Sequence, residues 1–367
     1  VGQVVGVAGK RIDGVHVLLH LARNQLAHGK ILVVRLGQPR ALRVSGSDRI
    51  HFGLVGHGFH GHIGYDTSMK GTVLFQNQPV LELADADSRL LVSAEHGARL
   101  LRWEKGGREI IRWPDDADWS RILKVRGGNP VLFPFIARHF VDGVIDRWRD
   151  TDGTVRTMVQ HGFARDAKFT LIEQTAASVR LRLTDDASTR EAYPFAFQFD
   201  VVFTLQPDSR LEIRFETTNR GDRPLPYYAG HHFYFALPHA ERADWSLLLP
   251  CESWGRQTPV GAIVHEPAAT EQLRLSDPAI VDRFAIRPNS HHATLINAIA
   301  ARRLVIEMPG PTPWYAVTTW TEKPDSDFYC IEPWLGLPNA IDHGEGLRWV
   351  VPGATEIARC VLDASGW

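Results

Sequence analysis

From about Leu74 to Leu362 the chain repeats short apolar or alternating runs, long enough for strands and too short for helices. They fall at 80–83, 89–92, 169–172, 179–183, 197–203, 211–215, 304–307 and 358–362. Turn-forming residues separate them, as in Gln206-Pro207-Asp208-Ser209 and Asn219-Arg220-Gly221-Asp222. In the run at 211–215, Glu212 and Arg214 alternate with Leu211, Ile213 and Phe215, the pattern of an antiparallel strand with one face in water. Few segments carry a helical period. Residues 261–270 read as loop, and Trp113-Pro114-Asp115-Asp116 as a turn or one short helix. The fold class expected is all-β, a large sandwich with long functional loops.

Composition narrows the partners. Of 367 residues, 44% are hydrophobic and 23% charged, and 41 basic side chains stand against 42 acidic ones. A net charge of -1 provides no broad basic field for nucleic acid or an anionic membrane, so the expected partner is a small molecule. No apolar run reaches the roughly 18 to 20 residues that span a bilayer. The stretch after Lys10 and Arg11 is too short and too polar for a secretory signal. Cys251, Cys330 and Cys360 form no CxxC pair, which argues against a disulfide framework or a zinc knuckle and fits a reducing cytoplasm.

The averages conceal two unlike segments. Residues 1–68 hold eight of the basic and three of the acidic residues, seven of the 17 histidines, and no tryptophan. That leaves 33 basic and 39 acidic residues, so a leader of charge +5 precedes a body of charge -6 that holds all 11 tryptophans. The leader shows no sustained period, although 31–34 reads as one short strand. It is read either as an accessory segment or, preferably, as upstream sequence translated ahead of a start at Met69. Its His57, His60 and His62 lack a cysteine partner and a regular element to preorganise them, which argues against a metal site.

Four segments gather polar groups beside aromatics: 127–138 (GGNPVLFPFIAR), 161–165 (HGFAR), 226–235 (PYYAGHHFYF) and 330–340 (CIEPWLGLPNA). In order and spacing these segments resemble the aldose 1-epimerase (galactose mutarotase-like) family, as do Tyr193-Pro194-Phe195 and Thr218-Asn219-Arg220. Each motif alone is weak, but four in order over about 200 residues are specific. The resemblance covers roughly residues 75 to 364. It sets the division at 1–70, a leader read as disordered or outside the native domain, and 71–367, an epimerase-like catalytic domain. It implies a β-supersandwich with two sheets bent around a sugar cleft, and a reaction that exchanges the α and β anomers of a free aldose without a metal or other cofactor.

Such a reaction asks for a base at the anomeric hydroxyl and an acid at the ring oxygen. By resemblance Glu332 is the base and His232 the acid, since His232-Phe233-Tyr234-Phe235 falls on the family's His-x-Tyr-Phe pattern. An imidazole suits the task because either of its proton states is accessible near neutral pH. His161 matches a histidine that bonds the ring-oxygen side of the sugar, and Arg138 an arginine that holds sugar hydroxyls. Trp334 is placed to stack on a sugar face. Asp282 is a looser match to a further hydroxyl ligand and stays outside the assigned set, and Arg165 reads as a structural charge partner.

The chain departs from the galactose-type pattern at His231, where an Asn is expected, and at Glu-Pro-Trp and Pro-Asn-Ala, which stand for Glu-Pro-Gln and Pro-Asp-Ala. Sugar preference is therefore not carried over, and His231 is open to two roles, orienting His232 or meeting the substrate. The rival readings are a hexose-6-phosphate epimerase, which needs cations such as Arg126, Arg138 and Arg165 at the cleft mouth, and a non-catalytic sugar-binding protein. No GxSxG elbow, HExxH helix or P-loop is present, and the motifs supply one carboxylate where a glycosidase needs two. The expected state is a cytoplasmic monomer or homodimer with no nucleic-acid or membrane partner.

Overall fold

A computed structural model describes residues 71–268 and 271–367, together with the backbone of five strands between residues 4 and 62. The chain divides into two compact units at Lys70 and Gly71. In the first unit Val4–Ile12 pairs with Val15–Ala22, and Gly58–His62 lies between Val33–Leu36 and His51–Val55. Whether that leader belongs to the native domain, and what its histidine side chains do, lie outside the described residues.

The second unit is built from two antiparallel sheets, as the repeated strand-length runs require. The larger has eleven strands in the order Ile263–Pro267, Cys251–Gln257, Arg283–Pro288, Ala316–Trp320, Tyr329–Trp334, Phe233–Phe235, Arg108–Ile111, Arg99–Lys105, Ser88–Ser93, Gln78–Ala84 and Thr72–Phe75. The smaller has nine: Thr170–Gln174, Ser178–Thr184, Phe197–Gln206, Arg210–Asn219, Thr355–Asp363, Arg302–Glu307, His292–Asn297, Trp245–Leu248 and Gln272–Arg274. The all-β, mutarotase-like supersandwich expected from the sequence is what the chain forms. One expectation fails: within 261–270, Ile263–Pro267 is an edge strand held by Cys251–Gln257. Its pattern is illegible because an edge strand that is mostly in water needs no apolar alternation.

Period-two patterning explains the core. Phe197, Phe199, Val201 and Phe203 point inward and are fully buried, and they face Ile213 and Phe215 across the adjacent strand. The Phe133 ring, on a loop beside the candidate site, stacks on Phe199 at 4.1 Å, so the loop is anchored in the same core. The opposite face of the smaller sheet is less wet than expected. Arg180 and Arg182 both bind Asp200, Arg180 and Arg214 bind Glu216, and Arg359 binds Glu212, so the aliphatic stems of the arginines cover Asp200 and Glu212.

Candidate active site

Side-chain alternation across the larger sheet creates the candidate site. On Tyr329–Trp334, Tyr329 and Ile331 point into the core, which turns Cys330, Glu332 and Trp334 to the other face. There Thr318 lies opposite Glu332, while Trp320 and Tyr234 flank Cys330 from the two neighbouring strands. A cleft of about 370 Å³ opens over this surface, lined by Glu332, His232, Tyr234, Thr318, Trp320 and Trp334 and walled by loops that bring His161, Arg138, Arg165, Asp282 and residues 123–126.

The same alternation separates the paired histidines. His231 turns into the core, its ring 4.4 Å from Phe215 of the smaller sheet, and is fully buried. His232 lines the cleft. Asn129 ties them together: its Oδ1 accepts the backbone N–H of His232 at 2.8 Å, which leaves Nδ2 to donate to His231 Nδ1 at 3.1 Å. Of the two roles open to His231, contact with a cleft ligand is excluded by its side of the sheet. Bracing the His232 backbone through Asn129 is the role the geometry allows.

His232 Nδ1 stands 3.5 Å from Glu332 Oε1, with the two side chains 12% and 2% exposed. Among the described residues neither His232 Nδ1 nor Glu332 Oε2 has a hydrogen-bond partner, and buried polar atoms left open at a cleft floor mark where a ligand completes the bonding. The Tyr234 ring lies parallel to His232 at 4.8 Å and Trp320 stands edge-on at 5.7 Å, which fixes the imidazole plane. Burial pushes His232 down to about 3, with the guanidiniums of Arg99, Arg165 and Arg126 adding to the effect. Burial pushes Glu332 well above the usual carboxylate range, and the charge of Asp282 adds to it. The shifts run in opposite directions: burial favours the uncharged form of each group, so the imidazole and the carboxyl compete for protons across the 3.5 Å gap.

The structure brings His161 to the same place. His161 and Gly162 both adopt left-handed backbone, φ 68° and 71°, and a Cβ on Gly162 would stand 2.2 Å from the Phe133 carbonyl oxygen. His161 Nδ1 accepts the Ala137 N–H at 3.0 Å, so its proton sits on Nε2, beside the Gln160 amide. Its ring is 5.5 Å from that of His232, and burial holds it well below the usual imidazole range, so it is a neutral donor. Arg138 is half-buried in the cleft wall. Trp334 also lines the cleft, its indole N–H donating to the His231 carbonyl at 3.2 Å.

Several cleft residues escaped the sequence reading. Asp282, left outside the assigned set, lines the cleft, as do Thr318 and Trp320. Among the described residues Arg165 has no ion-pair partner within 4 Å: its Nε is buried without a hydrogen bond and its side chain lines the cleft. Arg99 is fully buried and donates to the carbonyls of Ile122, Val125 and Gly127, which shapes the wall carrying Lys124 and Arg126. The looser match at 281–284 was the available signal for Asp282. None marks Arg99, whose strand looks like any other amphipathic run.

The profile of the aldose 1-epimerase family matches residues 79–354. The chain belongs to this family. Among curated proteins it is 27% identical to the chromosomal LacX protein of Lactococcus lactis subsp. lactis over 260 residues, 67% of this chain and 84% of LacX. Among solved structures it resembles Slr1438 of Synechocystis sp. PCC 6803, with 28% identity, a TM-score of 0.68, and coverage of 78% of this chain and 96% of that one. A galactose mutarotase related enzyme from Lactobacillus acidophilus shares the fold at 22% identity and a TM-score of 0.65, covering 77% of this chain and 96% of that one. The family match takes in all four sequence motifs, and the fold gathers residues from each of them around one cleft.

Proposed function

We propose that this protein is an aldose 1-epimerase that interconverts the α and β anomers of an aldose by acid-base ring opening. The observation that carries the reading is the buried Glu332 and His232 pair, 3.5 Å apart with an open acceptor and an open ring nitrogen at the cleft floor. In the form of the pair that carries its proton on His232, Glu332 takes the proton of the anomeric hydroxyl as the C1 carbonyl forms, and His232 delivers one to the ring oxygen as the C1–O bond breaks. Rotation about C1–C2 presents the other carbonyl face. On reclosure His232 takes back the hydroxyl proton and Glu332 returns one to O1, so the pair ends with the proton count it began with. His161 donates from Nε2 to the ring-oxygen side, and Arg138 and Asp282 hold hydroxyls.

A second reading, an aldose bearing a phosphate, is favoured by one feature of the cleft. Lys124, Arg138 and Arg165 line it with no ion-pair partner within 4 Å among the described residues, and Arg126, shared with Glu322, adds a fourth cation. Polarimetry or NMR exchange on freshly dissolved α-glucose, α-galactose, arabinose and glucose 6-phosphate separates the readings. Acceleration of a neutral sugar supports the first, and acceleration confined to glucose 6-phosphate the second. Glu332→Gln and His232→Ala are each expected to lose about 100- to 10,000-fold in rate. Rates equal to the parent, or no response with any sugar, leave a sugar-binding protein instead.

A further inference from the structure

His232, Glu332 and Cys330 each offer a donor atom, and these three atoms lie within 4.8 Å of one another. The trio follows from topology: Cys330 and Glu332 share one face of a strand, and His232 immediately precedes the neighbouring one. The 3.5 Å between His232 Nδ1 and Glu332 Oε1 is already close to the edge of a zinc tetrahedron, roughly 3.4 Å for bonds of about 2.1 Å. Bringing the Cys330 sulfur into range takes an adjustment of about 1 Å, since sulfur bonds zinc at about 2.3 Å. Nitrogen, sulfur and oxygen donors in this number leave a fourth position toward the cleft, and the mix selects a borderline or soft divalent cation over magnesium or calcium. Two independent features point to a ligand here, the unpartnered buried His232 Nδ1 and the unpartnered Glu332 Oε2.

We infer that His232, Cys330 and Glu332 form an inhibitory site for zinc-class divalent cations, occupied in competition with the sugar. The cation bonds the imidazole nitrogen, the carboxylate and the thiolate. The Cys330 thiol releases its proton to solvent on binding, as does Glu332 when it holds one. Cys330 has no part in the proposed ring opening. Fully buried within 4.8 Å of donor atoms of His232 and Glu332, it adds a sulfur ligand to the two that line the cleft.

Cobalt(II) provides a test that does not depend on the proposed activity. Added to the full-length protein, it is expected to give a thiolate-to-cobalt charge-transfer band in the near ultraviolet, which zinc then displaces. Histidines alone, including those of residues 1–70, cannot give such a band. Cys330→Ala should abolish it, while Cys251→Ala and Cys360→Ala retain it. With a responsive sugar, zinc should raise KM reversibly. Cys330→Ala, or Cys330→Ser if the alanine variant fails to fold, should weaken zinc inhibition at least about tenfold with the zinc-free rate unchanged. No band in the parent protein, a band that survives loss of Cys330, or equal zinc inhibition in parent and variant would overturn the inference. A protein that binds cobalt through Cys330 but turns over no sugar would sink the proposed function and leave the metal site standing.

Discussion

At the scale of single residues, the paired histidines show how one backbone step divides labour. His232 meets the cleft and His231 the core, and Asn129 joins them with one accepted and one donated bond. Removing the Asn129 side chain leaves two buried groups unpaired, each worth about 1–3 kcal/mol, and frees the His232 backbone. Asn129→Ala is therefore expected to lower kcat for mutarotation by tenfold or more, about 1.4 kcal/mol, with KM for the sugar nearly unchanged. If KM rises while kcat holds, Asn129 shapes the pocket rather than placing the acid. The motif 127–130 drew attention in the sequence because Gly-Gly-Asn-Pro matches the family, but this double bond was not legible there. It depends on two chain segments about a hundred residues apart meeting across the sheet.

At the scale of elements, the site depends on close backbone approaches. Gly230 bridges Leu132 on one side and Trp334 on the other, and a Cβ there would stand 2.5 Å from Trp334 Cδ1 and 2.8 Å from Ile136 Cγ2. Gly230→Ala must therefore displace the indole or push the loop at 132–136 away from the strand. Overpacking of this kind costs about 1–3 kcal/mol. Chemical denaturation should register that loss, and KM for the sugar should rise because Trp334 lines the cleft. Parent-like stability and KM would mean the loop yields freely. The central strand Ala316–Trp320, which carries Thr318 and Trp320, was missed in the sequence. It pairs with Arg283–Pro288 and Tyr329–Trp334 along its two edges, and buried Thr318 and Thr319 fall on opposite faces, so it shows neither apolar alternation nor a long apolar run.

At the scale of the whole molecule, the buried histidines set the response to acid. Burial holds His139, His231 and His232 at about 3 in the folded protein and His161 well below 6.5. Each is neutral when folded and takes up a proton on unfolding, so its stabilising effect is complete above about pH 6.5 and is lost as pH falls toward 3. Each of the three held at about 3 adds a slope of at most about 1.4 kcal/mol per pH unit between those limits. Glu332 shifts the opposite way and offsets one of the four above its unfolded value of 4.5. The three histidines held at about 3 therefore make stability fall as pH drops from about 6.5 toward 3, His161 acts in the same direction, and Glu332 opposes them. Thermal melts from pH 7 to pH 4 should show a steep fall in Tm, and a flat profile down to pH 5 would show that these histidines are solvated or paired.

The all-β class and the four polar-aromatic segments were readable in the chain, because strand period, turn chemistry and local motif order are properties of neighbours in sequence. Assembly of the cleft was not. Arg99, which shapes the wall at 122–127, and Cys330, whose donor atom lies within 4.8 Å of those of His232 and Glu332, look like ordinary strand residues. Their significance depends on which strands pair and on which face each side chain emerges. The shifts of His232 and Glu332 likewise arise from burial and from charges contributed by distant segments. Desolvation is a property of the folded interior, and a linear chain carries no record of it.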